Sequence, residues 1–286
     1  MKQESHSTIE ITEGDALSLL RDVSSSSIDV VIADPPYNLG KDYGNNHDLR
    51  GFGEYLAFSR SWLSEAHRIL KSNGTLYVFM GVRFISYLYD ILDRDLQMYF
   101  NSWITWHYTQ GIGKRKGFSP RHDDILMFTK SRSFQFHLDA IRVPQKYYRE
   151  RNNMAGANPG DVWEFSHVHY SNPEREKHPT QKPEALIARM LLTSSREGDT
   201  VLDPFAGSGT TLRVAQQLGR NCQGFEMNPR YVRMIQRRLA LPFDDFDSAD
   251  TRMARTPQNL PTNKMARRPK SSVQPTLPFA ETLWGA

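Results

Sequence analysis

The sequence of 286 residues contains one cysteine, Cys222. That excludes a disulfide framework and a multi-cysteine zinc cluster, and it fits a reducing compartment. No apolar run approaches the roughly 18 residues that a membrane span requires. The opening MKQESHSTIEI has no apolar stretch of the kind a secretion signal needs. These absences lead us to expect a soluble, cytoplasmic protein with no membrane partner. Apolar residues make up 38% on a count that includes Tyr and omits Gly. This is under the usual share of about 45–50%, even after allowing for the different counting, so part of the chain is expected to lie outside any core.

Acidic residues are scarce in one place. Residues 251–286 carry Arg252, Arg255, Lys264, Arg267, Arg268 and Lys270 against a single acid, Glu281, a net +5. The whole chain has a formal charge of +4, so residues 1–250 come to −1. The last stretch is rich in Pro, Thr, Ser and Asn and has no periodicity, which predicts a disordered basic tail over 243–286. Such a tail gains affinity for a polyanion by releasing counterions.

The rest alternates strand-like and helix-like segments, the pattern of an α/β fold with a mostly parallel sheet. Residues 28–33 form a β-branched run. Residues 54–70 have helical apolar spacing, and Asn73-Gly74 is expected to stop that helix before a strand at 75–80. A helix over 82–95 leads to a strand at 101–108. Further on, helices are expected at 184–195, 209–219 and 229–240, with strands at 200–205 and around 222–226. Residues 109–177 break the alternation and are expected to form a second, smaller module.

Two motifs end strands, where open α/β sheets place their ligands. The first is Asp34-Pro35-Pro36-Tyr37. Two consecutive prolines stiffen the turn and remove two backbone donors, leaving the Asp34 carboxylate and the Pro35 carbonyl as acceptors. Such a turn suits a ligand with its own N–H donors, such as an exocyclic amino group on an aromatic base. Two acceptors holding its hydrogens turn the nitrogen lone pair out of the ring plane and make it nucleophilic. Tyr37 has the face to stack on that base. The second motif, Asp203-Pro204-Phe205-Ala206-Gly207-Ser208-Gly209-Thr210-Thr211, runs from a strand into a helix. Its glycines permit positive φ and close approach, and it matches neither a full dinucleotide fingerprint nor a phosphate loop. Glu226 ends the next strand, 17 positions after Gly209, where an acid can hold ribose hydroxyls.

Two further segments are weaker alone. In His178-Pro-Thr-Gln-Lys-Pro183, Thr180 sits at a helix start and Lys182 offers a cation to a ligand carboxylate; glutamate and aspartate in Glu13-Gly-Asp15-Ala16 mark an ordinary turn. No metal site is expected, because His167-Val-His169 has no acid or cysteine cluster beside it. Cys222 reads as a core thiol.

The ordered set of motifs resembles the amino-DNA methyltransferases that use S-adenosylmethionine, in the permuted β arrangement, where the D-P-P-Y motif precedes the target-recognition region and the F-x-G-x-G loop comes last. The resemblance covers roughly 8–240 and implies a Rossmann-like, doubly wound sheet. It implies a cofactor-binding catalytic domain from 8–108 and 178–242, with target recognition at 109–177. By that resemblance Phe205, Gly207 and Gly209, with their loop neighbours Asp203, Ala206, Ser208 and Thr210, line the cofactor. Glu226 binds its ribose, Asp15 and Ala16 lie by its adenine, and Thr180 and Lys182 hold its carboxylate end. Asp34 also contacts the cofactor and accepts from the target amino group. Asp at the first motif position favours adenine N6 over cytosine N4; a silent DNA-binding module on the same fold is the third reading.

Arg121-His122-Asp123 matches a family segment near the flipped base, with Asp123 where Glu is commoner. Double-stranded DNA is the expected partner, with Lys114, Arg115, Lys116, Arg121, His122, Lys146, Arg149 and Arg151 as phosphate and base contacts. A homodimer and a prokaryotic, nucleoid-associated location are further expectations, with an orphan or restriction-paired role. In the tail, Gln274, Leu277 and Phe279 resemble the Q-x-x-L-x-F peptide that docks on the bacterial sliding clamp.

Overall fold

A computed structural model describes residues 7–41, 49–109, 111, 113–143, 156–169 and 172–242. The expectations that fall on Lys146, Arg149, Arg151 and the tail after 242 lie outside the described residues.

Eight strands form one sheet: β1 (Ile9–Glu13), β2 (Ile28–Ala33), β3 (Leu70–Met80), β4 (Tyr99–His107), β5 (His122–Thr129), β6 (Val162–Glu164), β7 (Thr200–Asp203) and β8 (Asn221–Glu226). Their order is β1-β8-β7-β2-β3-β5-β4-β6. All pairings are parallel except those of β5, which runs antiparallel to both β3 and β4. This is the mostly parallel, doubly wound sheet that the alternation predicts. Residues 109–177, expected to form a smaller module, supply β5 and β6 to the same sheet.

β2 is buried along its whole length, which explains why it reads as an unbroken apolar run rather than an alternation. Val31 and Ala33 face a core shared with α1 (Ala16–Asp22), α2 (Phe52–Ile69) and α3 (Ile85–Asp90). Val30 and Ile32 face the opposite core, under α4 (Glu184–Ser194), α5 (Thr210–Gln217) and α6 (Pro229–Leu239). In α2, Tyr55, Ser59, Trp62, Leu63, Ala66 and Ile69 are buried, a stripe at helical spacing. Cys222 lies buried in the second core, and burial pushes its thiol up.

Three elements differ from expectation. Asn73-Gly74 does not separate helix from strand: α2 ends at Ile69 and β3 begins at Leu70. The pairing with β2 shifts register there, from Ile28↔Leu70 to Val30↔Thr75. A Cβ on Gly74 would lie 3.1 Å from the Asp29 carbonyl oxygen, so the glycine allows the bulge rather than a stop. The helix expected over 82–95 is α3 followed by a π-helical turn, Ile91–Asp95. The turn at Glu13-Gly-Asp15-Ala16 opens α1, with the Asp15 carboxylate accepting from Ser18 N at 3.0 Å.

The chain leaves β2 through α2 towards β3, and leaves β7 through α5 towards β8 on the other side. The adjacent carboxyl ends of β2 and β7 are therefore the switch point of the sheet, where a crevice opens.

Candidate active site

Asp34 follows the last residue of β2. The diproline turn after it is tied to α2: the buried Tyr55 hydroxyl donates to the Pro36 carbonyl at 2.7 Å. Tyr37 packs against the chain just past β3, where a Cβ on Gly81 would lie 3.4 Å from its ring. The Asp34 carboxylate is used asymmetrically. Its Oδ2 is ion-paired with Lys182 Nζ. Its Oδ1 is buried and accepts no hydrogen bond among the described residues. A buried carboxylate oxygen left bare is costly, so this atom is set up for a donor that a ligand brings.

Lys182, expected at a cofactor carboxylate, thus stands on Asp34. Its ammonium lies 5.2 Å from the Phe79 ring centroid and 5.5 Å from that of Tyr37. It arrives there because α4 begins at Glu184, with Pro183 as its N-cap residue.

Beside β2, Asp203 ends β7, and its Oδ1 accepts from Phe205 N at 3.0 Å. Burial pushes its carboxyl up to about 7, with Asp34 and Glu226 adding to the rise. The loop that follows needs its glycines. Gly207 has φ +52° and Gly209 φ +74°. A Cβ on Gly209 would lie 2.7 Å from Ile235 of α6, and one on Gly207 3.1 Å from the His178 ring. His178 is held neutral, pushed down to about 3 by burial and by the charge of Lys182. Its Nδ1 accepts from Thr180 N at 3.3 Å. Glu226, at the end of β8, accepts from Gly207 N and from Asn228 N, both at 2.8 Å. Burial raises its carboxyl as well.

These groups meet in a cavity of about 260 Å³ whose walls include Asp15, Ala16, Asp34, Tyr37, Thr180, Lys182, Phe205, Ala206, Gly207, Ser208, Thr210 and Glu226. Phe205 is fixed by Trp62, edge-on at 5.4 Å between centroids.

The bracing behind the loop is absent from the motif reading. Arg238 of α6 is buried; its guanidinium donates to the Ser208 carbonyl at 2.9 Å, to Thr210 Oγ1 at 3.1 Å and to Glu184 Oε1 at 2.7 Å. Thr210 Oγ1 in turn donates to the Lys182 carbonyl at 3.1 Å. One side chain therefore ties the glycine loop to the segment that carries Lys182. The available signal was helical spacing: Arg238 lies three residues after buried Ile235, on the apolar face of α6.

Among the cationic candidates, Lys114, Arg115 and Lys116 lie exposed on the connection from β4 to β5. Arg121 and His122 are half-buried at the start of β5, with His122 Nε2 3.8 Å from Asp124. Because β5 is antiparallel, its start lies at the carboxyl end of its neighbours, so this basic loop borders the same end of the sheet as Asp34.

A family model, N6_N4_Mtase, described as DNA methylase, matches residues 28–237. The chain belongs to this DNA methylase family. Among its relatives, the type II methyltransferase M.HpaI of Haemophilus parainfluenzae is 60% identical over 246 residues, which are 86% of the methylase described here and 78% of the relative. The DNA adenine methyltransferase YhdJ of Escherichia coli (strain K12) is 38% identical over 242 residues, 80% and 82% of the two chains. The solved structure of the M1.HpyAVI–SAM complex superposes with a TM-score of 0.58 at 25% identity, covering 82% of the methylase and all of that chain. The family expected from the motif order and the fold expected from the alternation are both established. Among the described residues of the methylase, no helix is long and apolar enough to cross a membrane, and no group of three or more His, Cys, Asp or Glu is placed to hold a metal ion.

Asp203 gives a prediction for pH. An acid whose folded value is raised from 3.8 to about 7 binds more protons folded than unfolded between those limits, so stability falls as pH rises through that window. Asp203→Asn should remove this contribution. The difference in Tm between variant and wild type is expected to move in favour of the variant from pH 4.5 to 8. A difference that stays flat across that range contradicts the assignment.

Proposed function

We propose that the methylase transfers the methyl group of S-adenosylmethionine to the exocyclic N6 of an adenine extruded from duplex DNA. The observation that carries this reading is the bare Asp34 Oδ1 beside a stiff turn without donors. Its support among relatives is the adenine methyltransferase YhdJ and the M1.HpyAVI structure with its cofactor.

The cavity fits that cofactor. Gly207 brings bare backbone to the cavity wall while Gly209 lets the loop close on Ile235 of α6, Glu226 supplies an acid for ribose hydroxyls, and Phe205 an aromatic wall. Asp15 and Ala16 border the far end for an adenine, and Thr180 with Lys182 the carboxylate end. Bound there, the cofactor supplies a methyl group activated by its sulfonium. The chain's own residues do the rest. Tyr37 stacks on the extruded base. Asp34 Oδ1 and the Pro35 carbonyl accept from the amino hydrogens and turn the nitrogen lone pair towards the donor. Lys182 fixes the carboxylate so that Oδ1, not Oδ2, meets the base. As the nitrogen gains a methyl group it sheds a proton, and Asp34 Oδ1 is the atom placed to hold it. Catalysis then rests on positioning and on acceptors aimed at developing charge.

The exposed run Lys114, Arg115 and Lys116, with residues 109–177 as a whole, is assigned to DNA contact and target recognition. Gln274, Leu277 and Phe279 are assigned to clamp docking; a 268–286 peptide should bind a bacterial sliding clamp, and Leu277→Ala with Phe279→Ala should abolish it. Mapping modified bases in DNA from a host that expresses the methylase tests the main reading. N6-methyladenine at a defined site is expected, and its absence with Asp34→Ala.

Glu226→Ala should weaken cofactor binding by about ten- to a hundred-fold, the effect of removing a hydrogen bond to a charged group. Calorimetric titration with S-adenosylmethionine checks this, and unchanged affinity would remove Glu226 from the ribose.

A further inference from the structure

The turn that carries the chemistry is missing two of its main-chain donors. Pro35 and Pro36 have no N–H, and β2 ends at Ala33, so at these positions the turn must be held from outside. Two side chains do this, both through the start of α2. The Tyr55 hydroxyl donates to the Pro36 carbonyl at 2.7 Å. Asn38, which follows Tyr37, is 2% exposed and left-handed at φ +57°. Its side-chain amide accepts from Arg50 N at 2.6 Å and donates to the Arg50 carbonyl at 3.0 Å. Arg50 directly precedes Gly51, the N-cap residue of α2. The turn is therefore splinted to one helix at its middle and at its end.

A bond at the Pro36 carbonyl governs its neighbour. Between the Pro35 and Pro36 carbonyls stand a planar peptide, the φ of Pro36 locked by its ring, and one soft angle, the ψ of Pro36. Holding the second carbonyl fixes that angle, and with it the direction of the first. The Pro35 carbonyl is the acceptor assigned above, with Asp34 Oδ1, to the target amino group. The cofactor wall hangs from the same helix face. Trp62, about two turns after Tyr55 and buried like it, meets Phe205 edge-on. Tyr55 is braced in turn by Phe84, with ring centroids 4.4 Å apart. α2 is rooted in the core along this stripe, so the base turn and the cofactor wall share one rigid support. In-line transfer depends on that spacing, and a displacement of about 1 Å costs up to about a hundred-fold.

We propose that Tyr55 is a positioning residue for methyl transfer: its hydrogen bond to the Pro36 carbonyl, backed by the Asn38–Arg50 clasp, aims the Pro35 carbonyl at the amino nitrogen of the extruded base. This rests on the reading of the turn as an acceptor of that amino group, and it holds whether the base is adenine or cytosine. Tyr55 borders the cavity, but its hydroxyl is taken by Pro36, so it acts through the turn. Its loss slows the transfer step and leaves binding intact, because the basic loop and the Glu226 end of the cavity belong to other elements. A residue of structural value alone lowers stability and leaves the rate of the folded enzyme unchanged.

The test measures single-turnover methyl transfer to a duplex with the mapped target at saturating cofactor and DNA. Calorimetric affinity for S-adenosylmethionine and DNA affinity by fluorescence anisotropy are measured beside it. Tyr55→Phe keeps the ring and removes the hydroxyl. It should transfer about ten- to a hundred-fold more slowly, with both affinities close to those of wild type. Asn38→Gly keeps the left-handed backbone and loses both bonds to Arg50, so it should be slow in the same way. Asn38→Asp keeps the acceptor for Arg50 N and should recover part of the rate. Tyr55→Phe combined with Asn38→Gly should lose less than the product of the single losses, because both act on one turn. A Tyr55→Phe variant at wild-type rate overturns the proposal. So does one whose two affinities fall as far as its rate, since that is a general loss of structure. A wild type that transfers no label to the duplex refutes the functional reading and the proposal with it, and this control is read before any variant.

Discussion

Asp34→Ala is expected to lower methyl transfer by a factor of about 10²–10³ or more, the range for removing one preorganised group aimed at transition-state charge. Two losses combine. The amino hydrogens no longer meet Oδ1, so the lone pair stays delocalised into the ring. The proton shed by the nitrogen also loses its nearest acceptor. Binding of duplex DNA through the basic loop should be largely retained, because it does not pass through Asp34, and the cofactor keeps its contacts with Glu226 and the glycine loop. The variant leaves Lys182 without its partner, and Lys182 is buried, so some instability is expected too. Asp34→Asn controls for this: it keeps the shape and one acceptor oxygen but presents an amide, and its rate should stay close to that of the alanine variant. Single-turnover rates with saturating cofactor, beside DNA affinity by fluorescence anisotropy, separate these effects. Full activity in either variant refutes the mechanism.

Arg238→Ala is expected to destabilise the fold by roughly 3–5 kcal/mol, the cost of breaking a buried pair from one side. The Arg238 side chain is 4% exposed. Its removal takes one donor each from Glu184 Oε1, the Ser208 carbonyl and Thr210 Oγ1. For a domain of this size that corresponds to a fall in Tm of roughly 10 °C. The Arg60–Asp95 pair is the contrast: it is equally short at 2.7 Å, but its side chains are 56% and 41% exposed. Breaking it should cost at most about 1 kcal/mol. Thermal denaturation of Arg238→Ala and Arg60→Ala side by side checks both. Because Arg238 braces the glycine loop, its loss should weaken cofactor binding as well, whereas Arg60→Ala should not.

What was legible in the sequence was local. A β-branched run ending in Asp34-Pro35-Pro36-Tyr37, and another strand ending in the glycine loop, each mark a strand end within a few residues. Helices such as α2 and α6 announce themselves by spacing. What the sequence hid depends on long-range register. Lys182 reaches Asp34 from 148 positions away, which no motif spacing encodes. Asp123 comes to the carboxyl end of the sheet only because β5 runs against its neighbours. Asn73-Gly74 has the composition of a helix stop, yet the absent Cβ serves a bulge inside β3. Arg238 resembles any helix-surface arginine until Glu184 and Thr210 are placed against it.

The measurement that tests the account most directly is to incubate the methylase with unmethylated DNA and labelled S-adenosylmethionine, digest to nucleosides and identify the labelled one by mass spectrometry. N6-methyldeoxyadenosine is expected, and its loss with Asp34→Ala. Label in N4-methyldeoxycytidine, or no label while the cofactor is shown to bind, would contradict it.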